Sequence, residues 1–178
     1  IFIITPEEQR FARMVRTFAL GRDKNLEFWD CADGPWAFEQ DKDSGNFVEK
    51  KIILPDAKDK NYYAPLTYRD YVDDDKNINP TGVGGIGGGK IYVMLDLNRF
   101  FPSAGEAAGG TSCDPGERAV VRKLRSMRDR ISNQRKTVII ISRETAIPED
   151  IKELCTVIEW PLPKLEGIKE LLKNNLVF

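Results

Sequence analysis

Two apolar, strand-like runs end in groups able to serve a nucleotide. Ile91-Tyr92-Val93-Met94-Leu95 runs into Asp96, and Thr137-Val138-Ile139-Ile140-Ile141 runs into Ser142. A carboxylate at the end of a buried parallel strand can hold magnesium, and a hydroxyl on a neighbouring strand can contact a phosphate or a bridging water. Asp96 and Ser142 would together supply half of the machinery of phosphoryl transfer. The other half is missing: position 97 is Leu where a water-activating Glu is expected, and no good phosphate-binding loop precedes the pair. Strand ends in α/β folds often carry polar residues where the chain leaves the core, so the plainer reading of both groups, structural or vestigial, carries more weight than a working site.

A literal phosphate-loop pattern does occur, at Gly84-Gly85-Ile86-Gly87-Gly88-Gly89-Lys90. In a working loop the backbone amides cradle phosphate, the Lys neutralises it, a following Ser or Thr binds magnesium, and the order is strand, loop, helix. Here Ile91 follows the Lys, a strand follows the loop, and an acidic, Asn-containing stretch precedes it. That context favours a flexible surface loop. A true phosphate loop is expected earlier, after the second strand, at Trp29-Asp30-Cys31-Ala32-Asp33-Gly34. With one Gly, no Lys and two acids, that segment would repel phosphate.

A third feature is basic. Arg118, Arg122 and Arg125 recur at helical spacing, away from the stripe of Val120, Leu124, Met127 and Ile131, and Lys123, Arg128, Arg130, Arg135 and Lys136 broaden the patch. Such a face can meet an acidic protein partner or a phosphate backbone, or simply face solvent with Glu117 and Asp129 as local partners. No aromatic residues interleave it to stack bases.

These residues need an α/β frame to position them. Ile1-Phe2-Ile3-Ile4 reads as a strand buried on both faces. Thr5, Pro6 and Glu8 read as a capping box opening a helix that buries Phe11, Met14, Val15, Phe18 and Ala19 and stops at Gly21. Leu26 to Trp29 reads as a second strand, Ile91 to Leu97 as another, then a helix from Asp114-Pro115-Gly116-Glu117, the strand Thr137 to Ser142, a short helix from Ile147-Pro148-Glu149-Asp150, a strand Cys155 to Trp160 and a helix Leu165 to Leu172. Strands alternating with helices predict a doubly wound, mainly parallel α/β sheet in one domain spanning 1–178. A loop-rich insertion is expected at about 35–89, where Val48 to Leu54 forms a strand or hairpin, Tyr62 to Tyr68 docks on the core and Asp73-Asp74-Asp75 is solvated. A flexible loop is expected at about 102–113.

Composition narrows the chemistry. At 178 residues the chain is long enough for a substantial core, and a net charge of −1 selects no partner by global electrostatics. The absence of His excludes His-based catalysis and argues against a zinc or iron site. Cys31, Cys113 and Cys155 form no CxxC pair, which suits reduced thiols in a cytoplasmic protein. No apolar run approaches the roughly 18 residues of a membrane span. The chain opens inside a strand-like run, and we read it as part of something larger.

The order of landmarks resembles one AAA-type ATPase group, the cyanobacterial and chloroplast-encoded class also found in other bacteria and phages. The landmarks are Thr5-Pro6-Glu7-Glu8-Gln9-Arg10 after an apolar strand, Phe28-Trp29-Asp30 with Gly34, Val93 to Phe100, Arg122-Lys123-Leu124-Arg125, Val138 to Ser142 with Ile147-Pro148-Glu149, and Trp160-Pro161-Leu162-Pro163. The resemblance implies an amino-terminal, degenerate ATPase-like domain without a working phosphate loop, preceding a complete AAA module. ATP and magnesium then belong to the parent protein and not to this segment, and the parent forms a ring.

Three functional readings follow. The leading one is a non-catalytic domain serving assembly, regulation or partner recruitment, with Arg118, Arg122 and Arg125 as contacts to a protein or to another copy in a ring. The second is a nucleotide-binding enzyme using Lys90 and Asp96, with Ser142 nearby. The third is a nucleic-acid-binding module using the basic helix over 118–130.

Overall fold

Short, mainly apolar runs form the parallel centre of the sheet, and two more polar strands extend it on one side. The computed structural model describes residues 1–22, 24–40, 47–52, 72, 89–101, 115–144, 147–166 and 169. The expectations for Tyr62 to Tyr68, Asp73 to Asp75, Gly84 to Gly88, the loop at 102–113 and Cys113 lie outside those residues, as does most of the helix expected over 165–172.

In chain order the elements are β1 (Phe2–Ile4), α1 (Glu8–Leu20), β2 (Asn25–Asp30), β3 (Gly34–Gln40), β4 (Phe47–Lys51), β5 (Lys90–Leu95), a 3-10 turn (Leu97–Phe100), α2 (Pro115–Asn133), β6 (Lys136–Ser142), α3 (Glu149–Lys152) and β7 (Val157–Glu159). The seven strands form one sheet in the order β4-β3-β2-β5-β6-β1-β7. β2, β5, β6, β1 and β7 are parallel, and β3 and β4 add an antiparallel arm. The doubly wound α/β expectation therefore holds.

Side chains alternate across the sheet, so strand residues divide between two cores. On one face Phe11, Val15 and Ala19 of α1 cover Ile3, Phe28, Ile91, Val93, Ile139 and Ile141. On the other, Val120, Val121 and Met127 of α2 and Ile151 of α3 cover Phe2, Trp29, Tyr92, Met94 and Ile140. Register enforces the division: Phe2 lies opposite Ile140, and Ile3 opposite Ile141. The result is a three-layer sandwich with β5 buried along nearly its whole length.

Two local expectations are corrected. The apolar stripe of α1 is narrower than its spacing suggested, because Met14 and Phe18 are exposed. The antiparallel arm lies along the other flank of the helix, where the Arg16 guanidinium sits 4.1 Å over the Phe38 ring and 5.1 Å over the Phe47 ring. The capping box does not form either. Glu7 is the cap residue without a side-chain cap bond, and Thr5 Oγ1 instead accepts from the Glu7 amide at 3.1 Å.

The arm begins with a tight turn. Asp30 Oδ1 accepts from the amides of Ala32 at 2.8 Å and Asp33 at 2.6 Å, and Gly34 takes a φ of 74° that favours glycine. Phe28 and Trp36, directly opposite in register, stack at 4.4 Å and 9°.

Gly89 leads into β5 under a backbone constraint. A Cβ there would sit 2.7 Å from Lys24 Nζ, which can swing away, and 3.0 Å from the Arg135 carbonyl oxygen, which is backbone. Gly89→Ala should destabilise the domain by about 1–3 kcal/mol through overpacking. Urea unfolding should show a lower midpoint with an unchanged slope, and an unchanged midpoint would mean that the Arg135 turn yields freely.

Candidate functional site

The chain leaves β1 into α1 on one face of the sheet and leaves β6 toward α3 on the other, and β1 and β6 are neighbours. Adjacent parallel strands with connections on opposite faces open a crevice at their carboxyl ends, where α/β folds hold ligands. By that rule the ligand edge of this sheet is the one where Thr5 follows β1, Ser142 ends β6 and Asp96 follows β5.

Asp96 and Ser142 do come to the same edge, since Leu95 pairs with Ile141 one step earlier. Each is engaged locally. Asp96 has a left-handed backbone with φ 56°, which Asp tolerates better than most residues, and its Oδ1 lies 3.4 Å from Arg99 Nε. This reversal turns the chain into the 3-10 helix and drives Leu97 fully into the core. The Leu at the position of a water-activating Glu is thus a core residue. Ser142, 1% exposed, donates its hydroxyl to the Glu144 carbonyl at 3.0 Å and accepts from the Glu144 amide at 3.0 Å.

Where a phosphate loop belongs, between β1 and the amino terminus of α1, stands Thr5-Pro6-Glu7-Glu8. This corrects the expectation that the loop position follows β2; there the chain turns back into antiparallel β3, and the Asp30 carboxylate organises the turn. Thr5 is fully buried and its amide donates to the Ser142 carbonyl at 2.8 Å, tying the two strand ends together. Glu7 pairs with Arg10 at 3.1 Å and Glu8 with Arg143 at 3.5 Å. Acidic groups complement the positive amino-terminal end of a helix, the same feature that would otherwise attract phosphate. Arg10 Nη2 also donates to the Pro161 carbonyl at 2.7 Å, and the Trp160 amide donates to the Ile4 carbonyl at 2.8 Å, so the segment after β7 is tied down beside this turn.

Lys90 is not brought to this edge. It is the first residue of β5, while Asp96 follows the last, so at strand rise the two lie roughly 20 Å apart. Its ammonium is buried and ion-paired with Glu27 of β2. Sequence reasoning passed over this pair. Its signal was Glu27 itself, a lone carboxylate within the apolar run Leu26 to Trp29. Lys136, opposite Lys90 in register, is buried too and donates from Nζ to the Val72 carbonyl at 2.7 Å.

Arg118, Arg122 and Arg125 are exposed on α2, as their spacing predicted. Arg125 reaches Asp150 of α3 at 3.2 Å. Among the described residues no group of acids, Cys or His is placed to hold a metal ion, and no helix is long and apolar enough to cross a membrane.

The five parallel strands, flanked by helices on both faces and carrying acid and hydroxyl at adjacent strand ends, define an ATPase-like α/β sandwich with carboxylates in place of a glycine-lysine loop. The chain belongs to the family described as SpoVK-like AAA ATPase, N-terminal domain, which it matches over residues 1–160. It is 43% identical over 171 residues to an uncharacterized AAA domain-containing protein ycf46 of Pyropia yezoensis, covering 96% of this chain and 27% of that protein. The corresponding protein of Guillardia theta is 41% identical over 56 residues, 31% of this chain and 11% of its own length. The chain thus spans about a quarter or less of the relatives it matches. Among solved structures, a chain from the E. coli MS115-1 HORMA:CdnC:Trip13 complex has a TM-score of 0.57 at 12% identity, covering 99% of this chain and 52% of that one, a likeness of fold.

Proposed function

We propose that this is a non-catalytic, ATPase-like amino-terminal domain of an AAA protein, serving assembly, regulation or partner recruitment, with ATP and magnesium handled elsewhere in the parent. The observation that carries the reading is the turn Thr5-Pro6-Glu7-Glu8. Its two carboxylates and their Arg10 and Arg143 partners lie where a nucleotide's phosphates would need amides and a lysine. These residues do not fit a triphosphate. The engagement of Asp96 by Arg99 and of Ser142 by Glu144 adds support. Lys90 is separated from that edge by the length of β5, which weighs against a nucleotide enzyme built on Lys90 and Asp96. The exposed arginines of α2 are the recruitment surface in this reading.

The test is a calorimetric titration of the purified chain with Mg·ATP and Mg·ADP. No saturable heat is expected up to millimolar nucleotide. Saturable, magnesium-dependent binding would overturn the reading and make Asp96 and Ser142 the next residues to replace.

A further inference from the structure

At the other end of the sheet from Asp96 and Ser142, α2 and α3 leave a cavity of about 350 Å³ over the starts of β1 and β6. That lies in the roughly 300–1,000 Å³ range of ligand pockets. Its wall is largely apolar, including Leu124, Ile131, Val138, Ile140 and Leu154. Cys155 joins that wall, and burial pushes its thiol upward, so it is neutral at ordinary pH. Two of the lining residues are exposed cations, Arg125 and Arg128. They continue the row begun by Arg118 and Arg122 along the same helix. Asp150 engages Arg125, whereas among the described residues no carboxylate is ion-paired with Arg122 or Arg128. An apolar cavity therefore opens at the end of a positive track. From 118 to 128 the track rises about 15 Å, which about five residues of extended peptide would span.

We propose that this face takes a short, extended acidic peptide segment followed by a pair of large apolar residues, with that pair anchored at the cavity and the carboxylates along Arg122 and Arg128. The proposal rests on the partner-recruitment reading above and gives the partner its chemistry. The charge complements the arginines, and the apolar anchor distinguishes this ligand from a nucleic acid, which would need a stacking platform absent from the cavity wall.

The probe is a fluorescein-labelled ten-residue peptide with four acidic residues followed by Leu-Phe, titrated against the whole chain by anisotropy. Saturable binding is expected. Replacing Leu-Phe by Ser-Ser should weaken it at least tenfold, and so should the paired Arg122→Glu and Arg128→Glu changes, which are exposed and leave the melting temperature near that of the wild type. Leu154→Trp, which fills the cavity, should act like the Ser-Ser peptide. Equal binding of the two peptides would overturn the cavity as an anchor while leaving recruitment by the arginine row intact. No binding of either peptide, or displacement by a ten-nucleotide oligo-dT at equal or lower concentration, would overturn the proposal outright. The nucleotide titration reads the non-catalytic claim separately, so the two can fail independently.

Discussion

Lys90→Met should lower the stability of the domain by about 3–5 kcal/mol, the usual consequence of removing one partner from a buried ion pair. For a chain of this size that corresponds to a fall in melting temperature of roughly 6–20 °C. Glu27, 8% exposed, would be left in the interior without the ammonium that now meets it. The matching change, Glu27→Leu, should be similarly severe alone. Both changes together should restore most of the loss, because an apolar pair of comparable volume avoids the desolvation of both ions. A double-mutant cycle read by thermal unfolding tests this: additive single effects would mean that the two side chains do not depend on each other. The cycle also decides what the lysine of the glycine-rich motif is for. If Lys90→Met left the melting temperature unchanged but abolished binding of Mg·ATP, the phosphate role would return.

Lys90 also illustrates what a sequence can and cannot say. The G-x-x-x-x-G-K pattern is a statement about neighbours along the chain, whereas Glu27 approaches Lys90 from another strand through the β2–β5 register. Local spacing carries no trace of that approach except the lone charge in an apolar run. The central parallel strands β1, β5 and β6 were legible because burial on both faces makes them nearly continuously apolar, and the α2 stripe because it repeats at helical spacing. The arm was legible only in part: a strand or hairpin was expected at Val48 to Leu54, where β4 lies, but β3 was not expected. β4 is exposed along its whole length, so its pattern is that of any polar segment, and β3 carries a Pro that weakens a strand assignment. α1 stands where it was expected, but the flank carrying Arg16 lies against Phe38 and Phe47 while Phe18 is exposed. The site followed the same rule. Asp96 and Ser142 drew attention as candidates because each ends an apolar run, but the place a phosphate loop would take depended on which strand lies beside β6. That strand is β1, a fact of topology that only the assembled sheet supplies.

Trp29→Ala should be among the most damaging truncations of the core, at about 3–5 kcal/mol. Trp29 is fully buried and paired in register with Met94 on one side and Pro35 on the other, so its indole sits where the parallel sheet joins the antiparallel arm. It packs 6.3 Å from the Phe100 ring in the turn after Asp96 and shares a core with Tyr92, Met94 and Leu97. Removing it would open a cavity beneath both the arm and that turn. The arm has less to fall back on than the centre of the sheet, because β4 is exposed throughout and contacts the sheet through β3 alone among the described strands. Hydrogen exchange should therefore show protection lost first in β3, β4 and the 3-10 turn, with β1, β5 and β6 retaining theirs until global unfolding. Uniform loss of protection across all seven strands would mean that the arm and the parallel sheet unfold as one unit. In that case Trp29 would be part of a single core and not the hinge between two.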